Sequence, residues 1–239
     1  MTGSFIADPT PIVDHADGDT TNDDGTSTES FAAHRICMAE LMLVLDRRVQ
    51  DEDSLLDLLA RASREAVRLV DDADWAGVTL RFAGEPYTAA HTDPRVLVVD
   101  QGQYEQGDGP SLAAMRTDQW VAATGTQTRP QWPHLAPIAD AAGVWAYLAT
   151  PLHAGNRAIG SLNLYSARPE GIRTPDPDVL TVLTGYLDRG LTDYSAGHQD
   201  RDPTVQHLLR DRRVIAQAVD ILMVLTTSST AADATERLT

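Results

Sequence analysis

The sequence predicts an α+β domain, an antiparallel sheet flanked by helices, and three patterns support this fold class. Two pairs of strand-like runs are each joined by a short turn, 76–82 with 87–91 and 145–152 with 158–166, as in antiparallel hairpins. Segments with apolar residues at helical spacing precede the first pair and follow the second. Strands and helices do not alternate strictly, which argues against a dinucleotide-binding fold.

The first 30 residues differ from the rest in composition, since they contain seven acidic residues and no Arg. Such a segment buries too little apolar surface to offset its ordering entropy, and we predict a disordered acidic tail over residues 1–30. Apolar residues at a seven-residue spacing then predict a helix over 31–50, beginning at Phe31. The single cysteine, Cys37, lies on this helix and is interpreted as a packing residue.

The central part of the chain, residues 51–196, is predicted to form one domain. An apolar stripe after Asp53 predicts a helix that leads into the first hairpin. The run 96–99 is apolar but too short to assign, and residues 102–110 are interpreted as a loop. The later elements are expected to be a short helix at 111–115, a strand at 120–123, a helix at 132–142, the second hairpin and a helix at 176–195. A polar linker at 197–203 and a striped helix from 204 follow.

The charge balance limits the partners that the chain can have. The net charge is −16, and all 19 basic residues are Arg. An acidic chain disfavours general nucleic-acid binding, so that only a local Arg cluster could contact phosphates. One cysteine excludes a disulfide within the chain and favours a reducing compartment. Neither a signal peptide nor an apolar run long enough to span a bilayer is present, and we expect a cytoplasmic protein that does not bind membranes.

Catalytic and metal-binding patterns were not found in the sequence. There is no G-x-S-x-G elbow, and a phosphate-binding loop of the G-x-x-x-x-G-K-[ST] type is excluded because the chain has no Lys. The seven His are scattered, without the spacing of metal ligands on one helix. We therefore predict that the chain is not an enzyme and that it holds no metal and no cofactor.

Four segments in the central domain resemble an actinobacterial-type GAF domain, which has a GAF/PAS-like fold. They are 74–80, 100–112, Trp132-Pro133 and 151–166. The resemblance implies a pocket between the sheet and its loops, with aromatic walls and a few polar groups that suit a small molecule. The residues expected to line it are Tyr104, Gly109, Ser111, Trp132, Trp145 and Asn163. The alternative is that the aromatic side chains are core residues and the pocket is filled.

A second resemblance lies in the last striped helix. The run 210–223 is similar to the first helix of the ANTAR domain, a three-helix RNA-binding module of transcription antiterminators, although Val219 and Asp220 replace the usual Lys and Gly. The resemblance implies that RNA stem-loops would be contacted by Arg210, Arg212, Arg213 and Gln217. The region 204–239 is expected to be a partial module, since no third helix follows before Thr239.

These observations predict a signal-sensing regulator. In the first hypothesis a GAF sensor controls an ANTAR-like RNA-binding region that acts in transcription antitermination. In the alternative, the chain is a GAF-only sensing or dimerisation protein whose partial ANTAR segment does not bind RNA. Two apolar-striped helices favour a homodimer in either case.

Overall fold

The computed structural model describes residues 24–82, 85–172 and 175–197. The helices and strands in chain order are α1 (Asp24–Leu45), α2 (Glu52–Leu69), β1 (Trp75–Phe82), β2 (Glu85–His91), α3 (Pro94–Gln106), α4 (Pro110–Thr117), β3 (Val121–Thr124), α5 (Gly125–Gln131), α6 (Leu135–Ala142), β4 (Ala146–Ala154), β5 (Arg157–Ser166) and α7 (Pro177–Gly197). The chain divides into two compact units, residues 1–37 and 38–239. The second unit holds all five strands, helices α2 to α7 and the end of α1 from Met38 onwards.

The five strands form one sheet in the order β2-β1-β5-β4-β3, and every neighbouring pair is antiparallel. Both predicted hairpins are present, β1 with β2 and β4 with β5. An antiparallel sheet with flanking helices confirms the α+β class that the sequence predicted. No helix in the ranges that the structure describes is long and apolar enough to cross a membrane.

One face of the sheet is covered by α2 and α7, and the end of α1 joins the same apolar core. Helix α2 starts with a capping box, in which Asp51 accepts a hydrogen bond from the backbone N–H of Ser54 at 2.9 Å. Its apolar stripe includes the fully buried Leu59, and the buried Leu183 and Leu187 of α7 join the same core. The buried residues of these helices are apolar apart from Ser63, whose hydroxyl donates to Leu59 O, so the helices follow the periodicity by which they were predicted.

The opposite face of the sheet is covered by α3 and α4, and α6 packs against α3. Because side chains alternate along a strand, each inner strand sends residues to both faces. In β5, Leu162 and Leu164 join the first core, whereas Tyr165 packs in a second, smaller cluster with Tyr147 of β4. The same alternation places Asn163 on the second face, which therefore carries polar side chains.

Helix α3 corrects the prediction of a loop at 102–110. Asp93 caps the helix by accepting a hydrogen bond from the backbone N–H of Arg95 at 2.9 Å, and Pro94 occupies the first turn. Gly107 ends it with a left-handed backbone conformation, φ 65°. Six residues of the helix are buried, and two of them, Asp100 and Gln103, are polar; the others are Val96, Leu97, Val99 and Gly102. An apolar periodicity therefore could not reveal it.

Three further boundaries differ from the predicted ones. Helix α1 begins at Asp24 rather than at Phe31. The segment predicted as one helix over 132–142 contains the shorter α6, and a separate helix, α5, precedes it. Helix α5 starts at a second capping box, in which Gln127 Oε1 accepts from the backbone N–H of Thr124 at 2.9 Å. Gly197, the first residue of the predicted linker, belongs to α7, and the rest of the linker and the predicted last helix lie outside the described residues.

Candidate functional site

A group of buried polar side chains lies between the second face of the sheet and helices α3 and α4. We call it the polar cluster; its members are Thr79, Thr88, Asp100, Gln103, Tyr104, Ser111, Asn163 and Tyr165. Seven of the eight side chains have at most 2% of their surface exposed. The eighth, Tyr104, is hydrogen-bonded to the hydroxyl groups of Thr79 and Thr88. Burying this many polar groups is unfavourable unless they are paired, so the pairing decides what the site can do.

The carboxylate of Asp100 is the centre of the polar cluster. Its Oδ1 accepts a hydrogen bond from the Tyr165 hydroxyl and another from Gln103 Nε2, at 3.1 Å. Its Oδ2 accepts from the Thr88 hydroxyl at 2.7 Å. Asp100 itself has no exposed surface. No basic side chain makes an ion pair with it in the described part of the chain, so hydrogen bonds alone stabilise its charge.

Burial raises the pKa of Asp100 from 3.8 to about 6, although its hydrogen bonds with Tyr165, Thr88, Tyr104 and Gln103 lower it in part. The effect of desolvation on the pKa is larger than that of the hydrogen bonds, because a carboxylate loses its hydration entirely at this depth. Burial, together with the charge of Asp100, also raises the pKa of Tyr104 and Tyr165 well above 10. Both phenols therefore remain neutral donors, while Asp100 exchanges its proton close to neutral pH.

A chain of hydroxyl groups connects Asp100 to Asn163. The Thr88 hydroxyl lies 2.8 Å from the Tyr104 hydroxyl, which lies 2.9 Å from the Thr79 hydroxyl. Asn163 Nδ2 donates to the Thr79 hydroxyl at 2.9 Å. When Asp100 is ionised, every proton in this chain points towards it, and each donor has an acceptor.

Protonation of Asp100 would reverse the direction of this chain. The carboxyl group would donate to Thr88, and the reversal would pass through Tyr104 to the Thr79 hydroxyl. Thr79 would then need an acceptor for its own proton, and Asn163 Oδ1 could supply it, since the two ends of a carboxamide have the same shape. Asn163 Oδ1 has no partner among the described residues. The charge of Asp100 is thus linked to the donor or acceptor character of Asn163.

Gln103 connects the polar cluster to the beginning of α4. Its Oε1 accepts from the backbone N–H and the hydroxyl of Ser111, at 2.9 and 3.0 Å. Gly109 precedes α4 with a φ of 154°, and a Cβ atom at this position would overlap the Gln103 side chain. Glycine is therefore required where α4 approaches α3.

A narrow cavity lies beside the polar cluster, under α4 and over β4 and β5. It has no room for a sphere of the size of a water molecule. Its lining includes Ser111, Tyr147 and Asn163. The Tyr147 hydroxyl and Asn163 Oδ1 are buried without a hydrogen-bond partner among the described residues, as is Ser161 Oγ. Unpaired buried polar atoms are rare in proteins, and each requires an explanation.

The structure separates the six residues that the sequence singled out as pocket residues. Tyr104, Ser111 and Asn163 belong to the polar cluster, and Gly109 lies at its edge. Trp132 instead packs half-buried against the second core cluster. Trp145 is half-buried beside Gly125, and its backbone N–H donates to Ser166 O at 2.7 Å. Neither indole contributes to the lining of the cavity.

The residues that sequence reasoning missed are Asp100, Gln103 and Thr88. The two on α3 were assigned to a loop or left unassigned, and a loop residue is expected to be solvated. The signal that could have found them is the Asp93-Pro94 start together with Gly107, which defines a helix and places Asp100 on its inner side.

The RNA-binding residues predicted from the ANTAR resemblance, Arg210, Arg212, Arg213 and Gln217, lie outside the described residues. Across 24–82, 85–172 and 175–197, no group of three His, Cys, Asp or Glu side chains is placed to hold a metal ion.

Solved structures with this fold include enzymes. Free methionine-R-sulfoxide reductase from Neisseria meningitidis, in complex with its substrate, is 17% identical, with a TM-score of 0.50 over 78% of this chain and 99% of that chain. The reduced form of fRMsr of Staphylococcus aureus is 15% identical, with a TM-score of 0.51 over 66% and 94%. The phycoerythrobilin-bound GAF domain of a cyanobacterial phytochrome is 12% identical, with a TM-score of 0.49 over 69% and 96%. No curated protein sequence matches the chain.

The prediction that this chain is not an enzyme is contradicted by these structures. It assumed that a GAF-like domain without a familiar catalytic motif is not catalytic. Reductases of free methionine-R-sulfoxide have this fold, so the fold supports catalysis. Motif searches such as the G-x-S-x-G test cannot detect an active site that is built on the fold in another way.

The family model described as "GAF domain" matches residues 52–191, from the first turn of α2 to the end of the buried part of α7. The match ends before residues 204–239, for which the ANTAR resemblance stays a prediction. The matched range includes all five strands and the whole polar cluster. By this match over more than half of its length, the chain belongs to the GAF domain family.

Proposed function

We propose that this chain is a signal-sensing regulator of the cytoplasm whose GAF domain binds a small polar molecule beside the polar cluster. The observation that carries the proposal is that two residues lining the cavity, Tyr147 and Asn163, each have a buried polar atom without a partner among the described residues. A ligand that pairs with them would recover the free energy that their burial costs, about 1–3 kcal/mol for each.

Binding requires the cavity to widen, since it admits no water-sized sphere in the closed structure. Helix α4 is the element best suited to move, because it is short and starts at Gly109-Pro110. Its attachment to α3 consists of the two hydrogen bonds from Ser111 to Gln103. A polar ligand could replace these bonds with its own as it enters, which would offset part of the cost of moving the buried residues of α4.

Binding can be tested by calorimetry with a panel of small polar metabolites. The first compound is free methionine-R-sulfoxide, which reductases of similar fold bind as substrate. Replacement of Asn163 by Ala should weaken binding of any compound that enters the cavity. The control is Asn156→Ala, which changes an exposed residue in the β4–β5 turn. Saturable binding that Asn163→Ala leaves unchanged would place the ligand elsewhere, and no binding across the panel would contradict the sensor proposal.

We further propose that residues 204–239 bind RNA stem-loops and act in transcription antitermination. The support is the resemblance of 210–223 to the first ANTAR helix and the clustering of Arg210, Arg212 and Arg213 in an otherwise acidic chain. Guanidinium groups suit phosphate because they donate two parallel hydrogen bonds.

RNA binding by the 239-residue chain to tandem stem-loops, measured over a range of salt concentrations, tests this half of the proposal. Alanine at Arg210, Arg212 and Arg213 should abolish binding and reduce its salt dependence. The matched control removes three exposed Arg of the GAF domain, Arg64, Arg81 and Arg157. An absence of binding at low salt would favour the GAF-only alternative.

A homodimer is the third part of the proposal. In α1, Met42 is 42% and Leu43 is 78% exposed, although both are large apolar side chains. A second copy that packs on this side of α1 would remove them from water. Replacement of Leu43 by Asp should convert a dimer to a monomer in light scattering, whereas an unaltered mass for this variant would exclude α1 as the interface.

A further inference from the structure

A second cavity, distant in sequence from the polar cluster, lies at the end of α1 and beside α7. Its volume is about 440 Å³, which falls in the range of small-molecule sites. All of its lining residues belong to the second unit of the chain. They come from the last residue of α1 and the three that follow it, from α2 and from α7.

The charges at this cavity differ from those of the whole chain. Arg47, Arg48 and Arg189 line it together with Asp46 and Asp193, so that three cations face two anions. The chain as a whole carries a net charge of −16. A locally positive site is unexpected on such a surface, and it will concentrate small anions.

Two of the three guanidinium groups are unpaired. Arg47 and Arg48 are exposed, and neither makes an ion pair within the ranges that the structure describes. Arg189 Nε lies 4.0 Å from Asp193 Oδ2, at the limit of an ion pair. The guanidinium groups of Arg47 and Arg48 are therefore available to bind an anion from solution, although the chain has 35 acidic residues and 19 basic ones.

The backbone that carries these two Arg is fixed at both ends. Asp46 N–H donates to Met42 O at 2.8 Å, which continues the end of α1. Val49 is buried, and Gln50 N–H donates to the Ser54 hydroxyl at 3.0 Å, which anchors the segment to the start of α2. The backbone of Arg47 and Arg48 is thereby held before a ligand binds, so that less backbone entropy is lost on binding.

The other walls of the cavity favour a ligand that is more than a bare anion. Leu45 and Leu58 form an apolar floor, and the half-buried Tyr186 offers an aromatic ring on the α7 side. Asp46 and Asp193 can accept hydrogen bonds from hydroxyl groups. We propose that this cavity is a binding site for a small phosphorylated molecule that carries hydroxyl groups, such as a sugar phosphate or mononucleotide, with its phosphate on Arg47 and Arg48.

Calorimetric titration of the full chain with AMP, ribose 5-phosphate and adenosine tests the assignment. AMP or ribose 5-phosphate should bind saturably, and adenosine should bind at least about tenfold more weakly than AMP because it lacks the phosphate. The double variant Arg47→Gln, Arg48→Gln should weaken phosphate binding by about 10- to 100-fold. The matched control, Arg64→Gln with Arg157→Gln, removes two exposed Arg elsewhere and should bind like the unaltered chain.

Failure of both phosphates to saturate the chain by about 10 mM, or equal affinity for the double variant, would overturn the proposal. Circular dichroism establishes whether the double variant is folded. If it is not folded, two other measurements decide, the affinity of Arg189→Gln and the affinity of the unaltered chain at rising salt concentration. Weaker phosphate binding in each measurement supports the site, and an affinity that changes in neither refutes it. The result is independent of the cavity at the polar cluster, which Asn163→Ala tests separately.

Discussion

Replacement of Asp100 by Asn separates the cost of burying a charge from the hydrogen bonds of the polar cluster. Asn keeps the shape of the side chain and one acceptor oxygen, which can still receive bonds from Tyr165 and Gln103. Its amide group can donate to the Thr88 hydroxyl, as the protonated carboxyl would. The variant therefore imitates the neutral form of Asp100 at every pH.

The expected magnitude is set by the pKa of Asp100. That value is about 6 in the folded chain, above the ordinary 3.8, so folding favours the protonated form. The stabilisation is complete below pH 3.8 and is lost as the pH rises through about 6. The separation of the two pKa values corresponds to about 3 kcal/mol, of which about 2 kcal/mol falls between about pH 4.5 and about pH 8. Asp100→Asn should not show this loss of stability, because its side chain carries no charge at any pH.

The assay is urea unfolding followed by tryptophan fluorescence, at several pH values across this range. The free energy of unfolding of the unaltered chain minus that of Asp100→Asn should fall by about 2 kcal/mol as the pH rises. Glu170→Gln, which removes an exposed carboxylate, should follow the unaltered chain. A difference that does not change with pH, or that grows as the pH rises, would refute the claim that Asp100 is buried with a raised pKa.

Three further predictions concern single positions. Gly160→Ala should lower the free energy of unfolding, measured by thermal denaturation, by roughly 2 kcal/mol or more, since its Cβ would lie 2.5 Å from a backbone oxygen of β1. Asp51→Ala should lower the free energy of unfolding by about 1 kcal/mol because the α2 cap is lost. Asp51→Asn should retain most of the stabilisation by the cap. For His153, burial alone would lower the pKa, but hydrogen bonds to Asp118 and Asp188 raise it above 6.5. Its stabilisation is therefore present below pH 6.5 and lost as the pH rises through the folded value, so the difference in melting temperature between the unaltered chain and His153→Gln should shrink as the pH rises above 6.5.

The sequence predicted the fold class because its strongest signals are those of the apolar core. Leu55, Leu59 and Ala62 of α2, like Leu183 and Leu187 of α7, repeat at helical spacing and all reach one core. The two hairpins were equally visible, because their strands are short, alternating and joined by turn residues. On this side of the sheet, burial and hydrophobicity coincide, and the pattern of the sequence is sufficient.

On the other side of the sheet, burial and hydrophobicity do not coincide. Asp100 and Gln103 are fully buried, yet they have the composition of a surface helix or loop. Their burial depends on tertiary partners, Thr88 and Tyr165, that are distant in sequence. The GAF resemblance placed Tyr104, Ser111 and Asn163 near a pocket, but only the structure shows which hydrogen bonds join them.

Helix α4 connects the polar cluster to the other face of the sheet. Ser111, near its start, is bonded to Gln103, and Asp118, which comes directly after its last residue, accepts from His153 Nε2 at 2.7 Å. His153 Nδ1 lies 3.1 Å from Asp188 of α7. A movement of α4 large enough to widen the cavity would therefore act on the hydrogen bonds that tie β4 to α7. A ligand alters this equilibrium only to the extent that it binds the two arrangements differently. The protonation of His153 would then affect ligand affinity even though the side chain does not touch the cavity, by the same free energy with which the ligand affects its pKa.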